Sequence, residues 1–464
     1  MKERLRLYPD RFFRAVFPES MPPRLYLFFL ILAVQSIAVV IAGIFLGVDG
    51  AHNAGVALCS LALYIATFVL IFIMALPHAD GKLLKHDRRL RISAKVIVVF
   101  LLIGAVVEAI VVAPCLVNGD ALLFDKWENP FVPNDRIVLG EQASQALIDG
   151  ENPYTHINII RAAQEVPALN PTILRQGAFA DVYTRPSEER VHEILAKALE
   201  TPDVIPVEFE SQMSYPAGSF FFHTPFSALG IDIRWFYLIC ALILMGYIVW
   251  RAPSALRPLI VVGSIASVLV WNAIIAGSMD SLYLLFILLG WTMRRRVWLA
   301  AVCMGLALTC KQTAITFVLF YLILLLRESG WRNVFKSAAM IAAVFALTNL
   351  PFVVADPHAW LSGILAPITD PFIPEGVGIV SFATLSTNPV PSWPFALIEG
   401  IVLVAAMIWY YFRCLRAPQT GLLLAIIPFF FAWRSLASYF AMIPLLVFAA
   451  VVIEEYSNSS TATA

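Results

Sequence analysis

Twelve apolar stretches organise this chain, at about 25–47, 54–76, 96–116, 235–250, 258–275, 280–293, 297–310, 313–326, 337–354, 395–412, 421–433 and 436–453. Roughly 20 apolar residues in a helix cross a bilayer core. The longer stretches therefore predict spanning helices, and the shorter ones predict helices that end inside the membrane or cross where it thins. A polar stretch from Asn118 to about Asp232 separates the third from the fourth, and a second runs from Asp356 to Trp393. The expected fold is an all-α polytopic membrane protein of about 12 transmembrane helices.

Within the longer polar stretch, Gly140 to Gly150 has helical spacing, with Ala143, Ala146 and Leu147 on one face and Gly150 as its stop. Ser187 to Glu200 opens on a capping pattern, imperfect because Arg190 stands where Glu or Gln is usual. Its Val191, Ile194, Leu195 and Leu199 form one apolar face, suited to the membrane surface or to the outer segment itself. Tyr215 to Gly230 then dips back toward the bilayer with three consecutive phenylalanines.

Composition supports the membrane reading. Of 464 residues, 60% are hydrophobic and 14% are charged, against roughly 25% charged in soluble domains. Lys plus Arg equals Asp plus Glu, which argues against a nucleic-acid partner. Basic residues cluster at the N-terminus, from Lys82 to Lys95, at Arg251 and Arg257, at Arg294 to Arg296, at Arg327, Arg332 and Lys336, and at Arg413 and Arg416. The positive-inside rule then places both termini in the cytoplasm and the long polar stretch outside, as an extracytoplasmic loop at 117–232. The shorter loop, 356–393, lies on the same outer side.

Lys311 and Arg434 break this pattern, each between two short apolar runs at an outward-facing turn. A cation near the membrane core costs about 2.5–3.5 kcal/mol on insertion scales, so it needs a partner or a wet cavity. Either an ion pair, snorkelling or an anionic lipid phosphate satisfies it. Asp120, Asp125, Glu128, Asp135 and Glu141 follow the third stretch, where a carboxylate can accept a proton from a hydroxyl. Asp280 stands at the entrance of a span, as a helix cap or a site residue. His156, His192, His223 and His358 have no metal-ligand spacing, and no phosphate loop or hydrolase elbow occurs, so neither metal nor cofactor is expected. The six cysteines read as small core residues.

The order of these features resembles the GT-C superfamily of integral membrane glycosyltransferases, in particular mannosyltransferase-like members that use a polyprenyl-phosphate sugar. Asp135 matches the acidic position of the outer loop, and Gly150, Asn152, Pro153 and Tyr154 match the motif that ends its helix. Leu139 departs from a tyrosine common in the family. Tyr215-Pro216-Ala217 resembles a YPP-type motif with Ala as its third residue, and Gly277 to Asp280 a span entrance. Lys311 with Gln312, and Arg434 near the last spans, complete the series.

The resemblance covers about 95–455 and implies three parts. Residues 1–94 carry two additional helices, 95–455 form the GT-C-like catalytic domain, and 456–464 form a disordered tail. It implies that Asp135 is the general base for an inverting attack, with Asp120 and Asp280 as alternative acids. Lys311 and Arg434 would hold the lipid phosphate, and Asn152, Tyr154, Tyr215 and Gln312 would line the substrate groove. The implied partners are the bilayer, a polyprenyl-phosphate-linked sugar, possible mannose included, and a lipid or glycan acceptor. The alternatives are a transporter or flippase of lipid-linked anions, or another outer-leaflet lipid-processing transferase; neither paired broken spans nor related halves favour the transporter.

Overall fold

The computed structural model describes residues 10–19, 21–47, 54–118, 135–165, 169, 171–275, 277–386 and 389–456. Asp120, Asp125 and Glu128 lie outside the described residues. Each apolar stretch is helical over most of its length. The principal helices are α1 (Leu27–Gly47), α2 (Ala54–Ala75), α3 (Asp87–Asn118), α4 (Asp135–Ile148), α5 (Glu188–Leu199), α6 (Arg234–Arg251), α7 (Arg257–Ile265) and α8 (Val268–Ile275). They continue as α9 (Asp280–Thr292), α10 (Val297–Cys310), α11 (Ala314–Ser329), α12 (Trp331–Ala355), α13 (Pro357–Thr369), α14 (Trp393–Arg413), α15 (Thr420–Leu424) and α16 (Ile443–Val451).

Among the described residues, seven helices are long and apolar enough to cross a membrane, or eight if the pair bent by 58° near Ala266 is one span. This makes the chain a multi-pass α-helical membrane protein. The helices Asp280–Thr292 and Val297–Cys310 are shorter. At 1.5 Å per residue each is only about 20 Å long, against a hydrocarbon core of about 30 Å. Side chains on α3, α12 and α14 such as Phe100, Leu347 and Phe412 are 70%, 76% and 68% exposed. Such apolar exposure on long helices is what a lipid-facing surface looks like.

Two hydrophobic cores divide the molecule. One fills the helix bundle, and the other is built from the outer segment, including Val138, Ala143, Tyr154, Ile160, Phe179 and Phe209, and reaches Phe352 on α12. Helix α4 ends where its sequence says it should. Gly150 takes φ +77°, its amide donates to Leu147 O at 3.2 Å and that of Glu151 to Ala146 O at 2.8 Å. This is the Schellman arrangement, which needs a residue tolerant of positive φ. In α5, Ser187 Oγ accepts from the Arg190 amide at 3.4 Å despite the imperfect capping box. Val191 and Leu195 are buried in the outer core, with Ile194 and Leu199 packed against it. The amphipathic face thus packs on the core of the long polar segment.

The end of the bundle remote from α4 is closed by ion pairs. Arg24, 2% exposed, meets Asp80, Glu455 and Tyr456, while Arg294 at the end of α9 bridges Glu328 and Glu454.

Candidate functional site

Short helices and broken backbone bring charged side chains together at the end of the bundle that carries α4. The chain breaks between α10 and α11, where Lys311 is extended (φ −153°, ψ 133°). Its ammonium, on a residue 1% exposed, donates to Asp280 Oδ1 and lies 4.9 Å from the Tyr439 ring centre and 5.4 Å from that of Tyr283. Asp280, the first residue of α9 and also 1% exposed, accepts from Ser278 Oγ at 2.7 Å through its other oxygen. Without Lys311 this carboxylate would be a buried, uncompensated charge.

Gly277 docks this entrance on α4. It has φ +86°, and a Cβ there would lie 2.0 Å from Ile137 Cγ1. Gly277→Ala therefore meets both strain and a clash, and must push the first turn of α4 away. Displacements of about 1 Å can cost about 10²-fold in rate. A fall of that order in catalytic rate is expected, with Gly104→Ala, where nothing among the described residues lies within 4 Å, as the silent control. Unaltered initial rates for Gly277→Ala would show that this contact does not set the site.

Asp135 opens α4. Its Oδ1 accepts from the Arg136 amide at 2.8 Å and its Oδ2 from the Thr172 amide at 3.0 Å. Arg136, which the motif reading passed over, is the most informative addition. Its guanidinium stacks on Tyr215, 4.6 Å from the ring centre, and its buried Nε has no hydrogen-bond partner among the described residues. Burial opposes its charge, but the nearby Tyr215, Asp280, Tyr439 and Asp135 outweigh that and hold its pKa above the ordinary value. One sequence signal could have found it: a cation in the first turn of a helix sits against the dipole.

Arg434 arrives from the opposite side on β2 (Arg434–Ser435), which pairs in parallel with β1 (Glu375–Gly376), Arg434 beside Glu375. It donates to Glu375 Oε2 at 2.9 Å and lies 4.6 Å from the centre of the Phe372 ring. Its Nε, too, is buried without a partner among the described residues. Glu375, Asp135, Tyr439 and Tyr215 are the ionisable groups that act on it. Asp135, Asp280, Lys311, Arg434 and Tyr215 thus converge, joined by Arg136, Tyr283 and Tyr439.

The remaining motif residues hold the frame around Tyr215. Asn152 Oδ1 accepts from the Tyr154 amide at 3.1 Å, capping Pro153–His156. The Tyr154 hydroxyl donates to the Tyr215 carbonyl at 2.8 Å, and Gln312 Nε2 donates to the carbonyls of Ser214 and Ile364. Asn349 Oδ1 accepts from the Ala217 amide at 3.0 Å. A cleft of about 370 Å³ elsewhere, lined by Arg175, Ala180, Tyr183 and Pro389 to Pro391, includes none of these residues.

Beneath Asp135 lies a carboxyl pair. The Glu210 amide donates to Thr172 O at 2.9 Å, so Glu210 borders the segment whose Thr172 amide holds Asp135. Glu210 Oε2 and Asp370 Oδ2 are both buried with no other donor among the described residues, and a hydrogen bond between the carboxyls requires a proton on one of them. Burial, then Asp370, pushes Glu210 up to about 8. Unfolding below that value and above the ordinary 4.5 releases a proton, so stability falls as pH rises through this window and levels off above it. Glu210→Gln is expected to flatten that slope in thermal midpoints measured from pH 5 to 9. An equally steep slope in the variant would remove the shared proton.

Buried, paired charges at backbone breaks among apolar helices, beside a folded polar segment, make up the site of a multi-pass membrane protein. Residues 214–438 match the model of glycosyltransferase family 87, and the chain is accordingly a membrane glycosyltransferase. The matched segment contains Tyr215, Asp280, Lys311, Gln312 and Arg434; Asp135 and Arg136 precede it. No curated protein and no solved structure matches the chain.

Proposed function

We propose that this glycosyltransferase moves a monosaccharide, mannose being the first candidate, from a polyprenyl-phosphate donor to a hydroxyl of a lipid, glycan or protein acceptor. The reaction takes place on the extracytoplasmic face of the plasma membrane, with both termini cytoplasmic. The observation that carries this reading is the pair of buried guanidinium Nε–H donors, on Arg136 and Arg434, without a hydrogen-bond partner among the described residues, in the cluster that holds the Lys311 ammonium. Buried donors without acceptors are rare and call for an explanation. A phosphate oxygen is the acceptor whose charge and geometry match them.

In this reading Asp135 takes the proton of the acceptor hydroxyl as its oxygen attacks the anomeric carbon. The bond to the phosphate oxygen breaks on the opposite face, so the configuration inverts. The negative charge that grows on the departing polyprenyl phosphate is met by Arg136, Lys311 and Arg434, groups fixed before the reaction begins. Tyr215 keeps the Arg136 guanidinium in plane, while Asn152, Tyr154 and Gln312 keep the Tyr215 loop in register.

The test supplies membranes carrying the chain with sugar-labelled polyprenyl-phosphate mannose, then with the glucose and pentose analogues, and in parallel with nucleotide sugars. Transfer from a lipid-linked sugar and none from a nucleotide sugar is the expected result. Transfer from nucleotide sugars alone would overturn the donor class.

A further inference from the structure

The last span changes helix at Met442, close to the site, and proline removes the regular α-helical donor of one carbonyl there. Helix Ser438–Ala441 ends and α16 begins at Ile443, with Pro444 in its first turn. In a continuous helix the amide of residue 444 would bond the carbonyl of Phe440, but proline has no N–H. The Met442 amide turns back to Phe440 O, but a contact over two residues is poorly aligned. In a membrane a carbonyl without a good donor is costly, so a side chain is needed to supply one. Gln35, from the middle of α1 and 2% exposed, does so: its Nε2 donates to Phe440 O at 2.8 Å.

Aromatic packing from α2 secures the same segment. Tyr64 lies 6.2 Å from Phe430 and 5.8 Å from Phe440, and Phe68 lies 5.2 and 5.4 Å from the same two rings. Phe430 and Phe440 bracket Arg434 and Tyr439 in the chain. The Tyr439 ring is the one the Lys311 ammonium approaches at 4.9 Å.

We propose that Gln35 is a positioning residue of the glycosyltransferase site. It holds the Phe440–Pro444 break open in the one geometry that brings Tyr439 beside Lys311 and Arg434 beside Glu375. The first two helices, outside the family-matched segment, thus act as the buttress of the site's last loop. The catalytic part of the claim rests on the lipid-linked donor reading above; the anchoring part does not.

The experiment compares wild type, Gln35→Met, which keeps the volume but removes the donor, and Gln35→Glu, whose neutral carboxyl in this apolar setting can still donate. Hydrogen exchange is followed in peptides covering 434–441, and kcat and KM are measured with polyprenyl-phosphate mannose. One buried hydrogen bond corresponds to about five- to tenfold. Gln35→Met is expected to speed exchange in 434–441 by that factor, leave peptides from α9 and α10 unchanged, and lower kcat similarly at constant donor KM. Gln35→Glu is expected to restore both. Unchanged exchange in 434–441, or equal acceleration in every peptide, would overturn the proposal. Local opening in Gln35→Met, with no transfer even by wild type, would instead refute the donor reading and leave the anchor standing.

Discussion

Asp135→Asn is expected to lower kcat for sugar transfer by about 10²–10⁴-fold, the range a positioned general base supplies. The variant keeps the shape and the local hydrogen bonds. Asparagine serves as well as aspartate at a helix start, and its one carbonyl oxygen can still accept from Arg136 or Thr172, whose amides the carboxylate now holds at 2.8 and 3.0 Å. Binding of unlabelled polyprenyl phosphate, read by protection of the protein against heat, should survive. A loss confined to kcat marks an interaction made in the transition state rather than in the bound ground state. Initial rates with labelled donor decide the matter, and turnover equal to wild type would move the base to Asp280 or Asp120. Asp280 is already ion-paired with the buried Lys311 ammonium and accepts from Ser278, whereas Asp135 faces backbone amides and no cationic side chain hydrogen-bonds to it among the described residues.

Much of this arrangement is legible without coordinates because the membrane makes charge expensive. Lys311 and Arg434 stand out in the sequence only because they fall between apolar runs, and the same cost that makes them conspicuous forces the breaks on which they sit. Gly150 was readable for a different reason, since a helix stop needs a residue that tolerates positive φ. What stayed hidden depends on distant partners. The pairing of Glu375 with Arg434 joins strands 59 residues apart, and no local pattern announces it. Arg136 was masked by its neighbour: beside a candidate base, a cation in a polar loop reads as solvated. Asn152, Tyr154 and Gln312 were legible as motif positions, but Asn152 caps its own short helix and the other two bond backbone of the Tyr215 loop, a distinction that spacing cannot make. The face of α5 was readable as apolar, while its choice of the outer domain over the bilayer depended on a core assembled from four separate segments.

Lys311→Met is expected to abolish transfer, but alone it is ambiguous, because the ammonium both balances Asp280 and faces the proposed phosphate. Removing one partner of a buried ion pair costs about 3–5 kcal/mol, enough to unfold a marginal protein and mimic a catalytic loss. The double variant Lys311→Met with Asp280→Asn separates the roles. It removes both charges at nearly constant volume, and so removes the penalty of leaving one buried charge uncompensated. Asparagine can still accept from Ser278 Oγ, so α9 keeps its start. Thermal midpoints are therefore expected to fall in Lys311→Met and recover in the double variant. Transfer is not expected to recover, staying about 10²–10³-fold down, the loss typical when one preorganised donor to a developing anion is removed. If the double variant regains wild-type rates, Lys311 is only the counter-ion of Asp280, and the phosphate must be held by Arg136 and Arg434 alone.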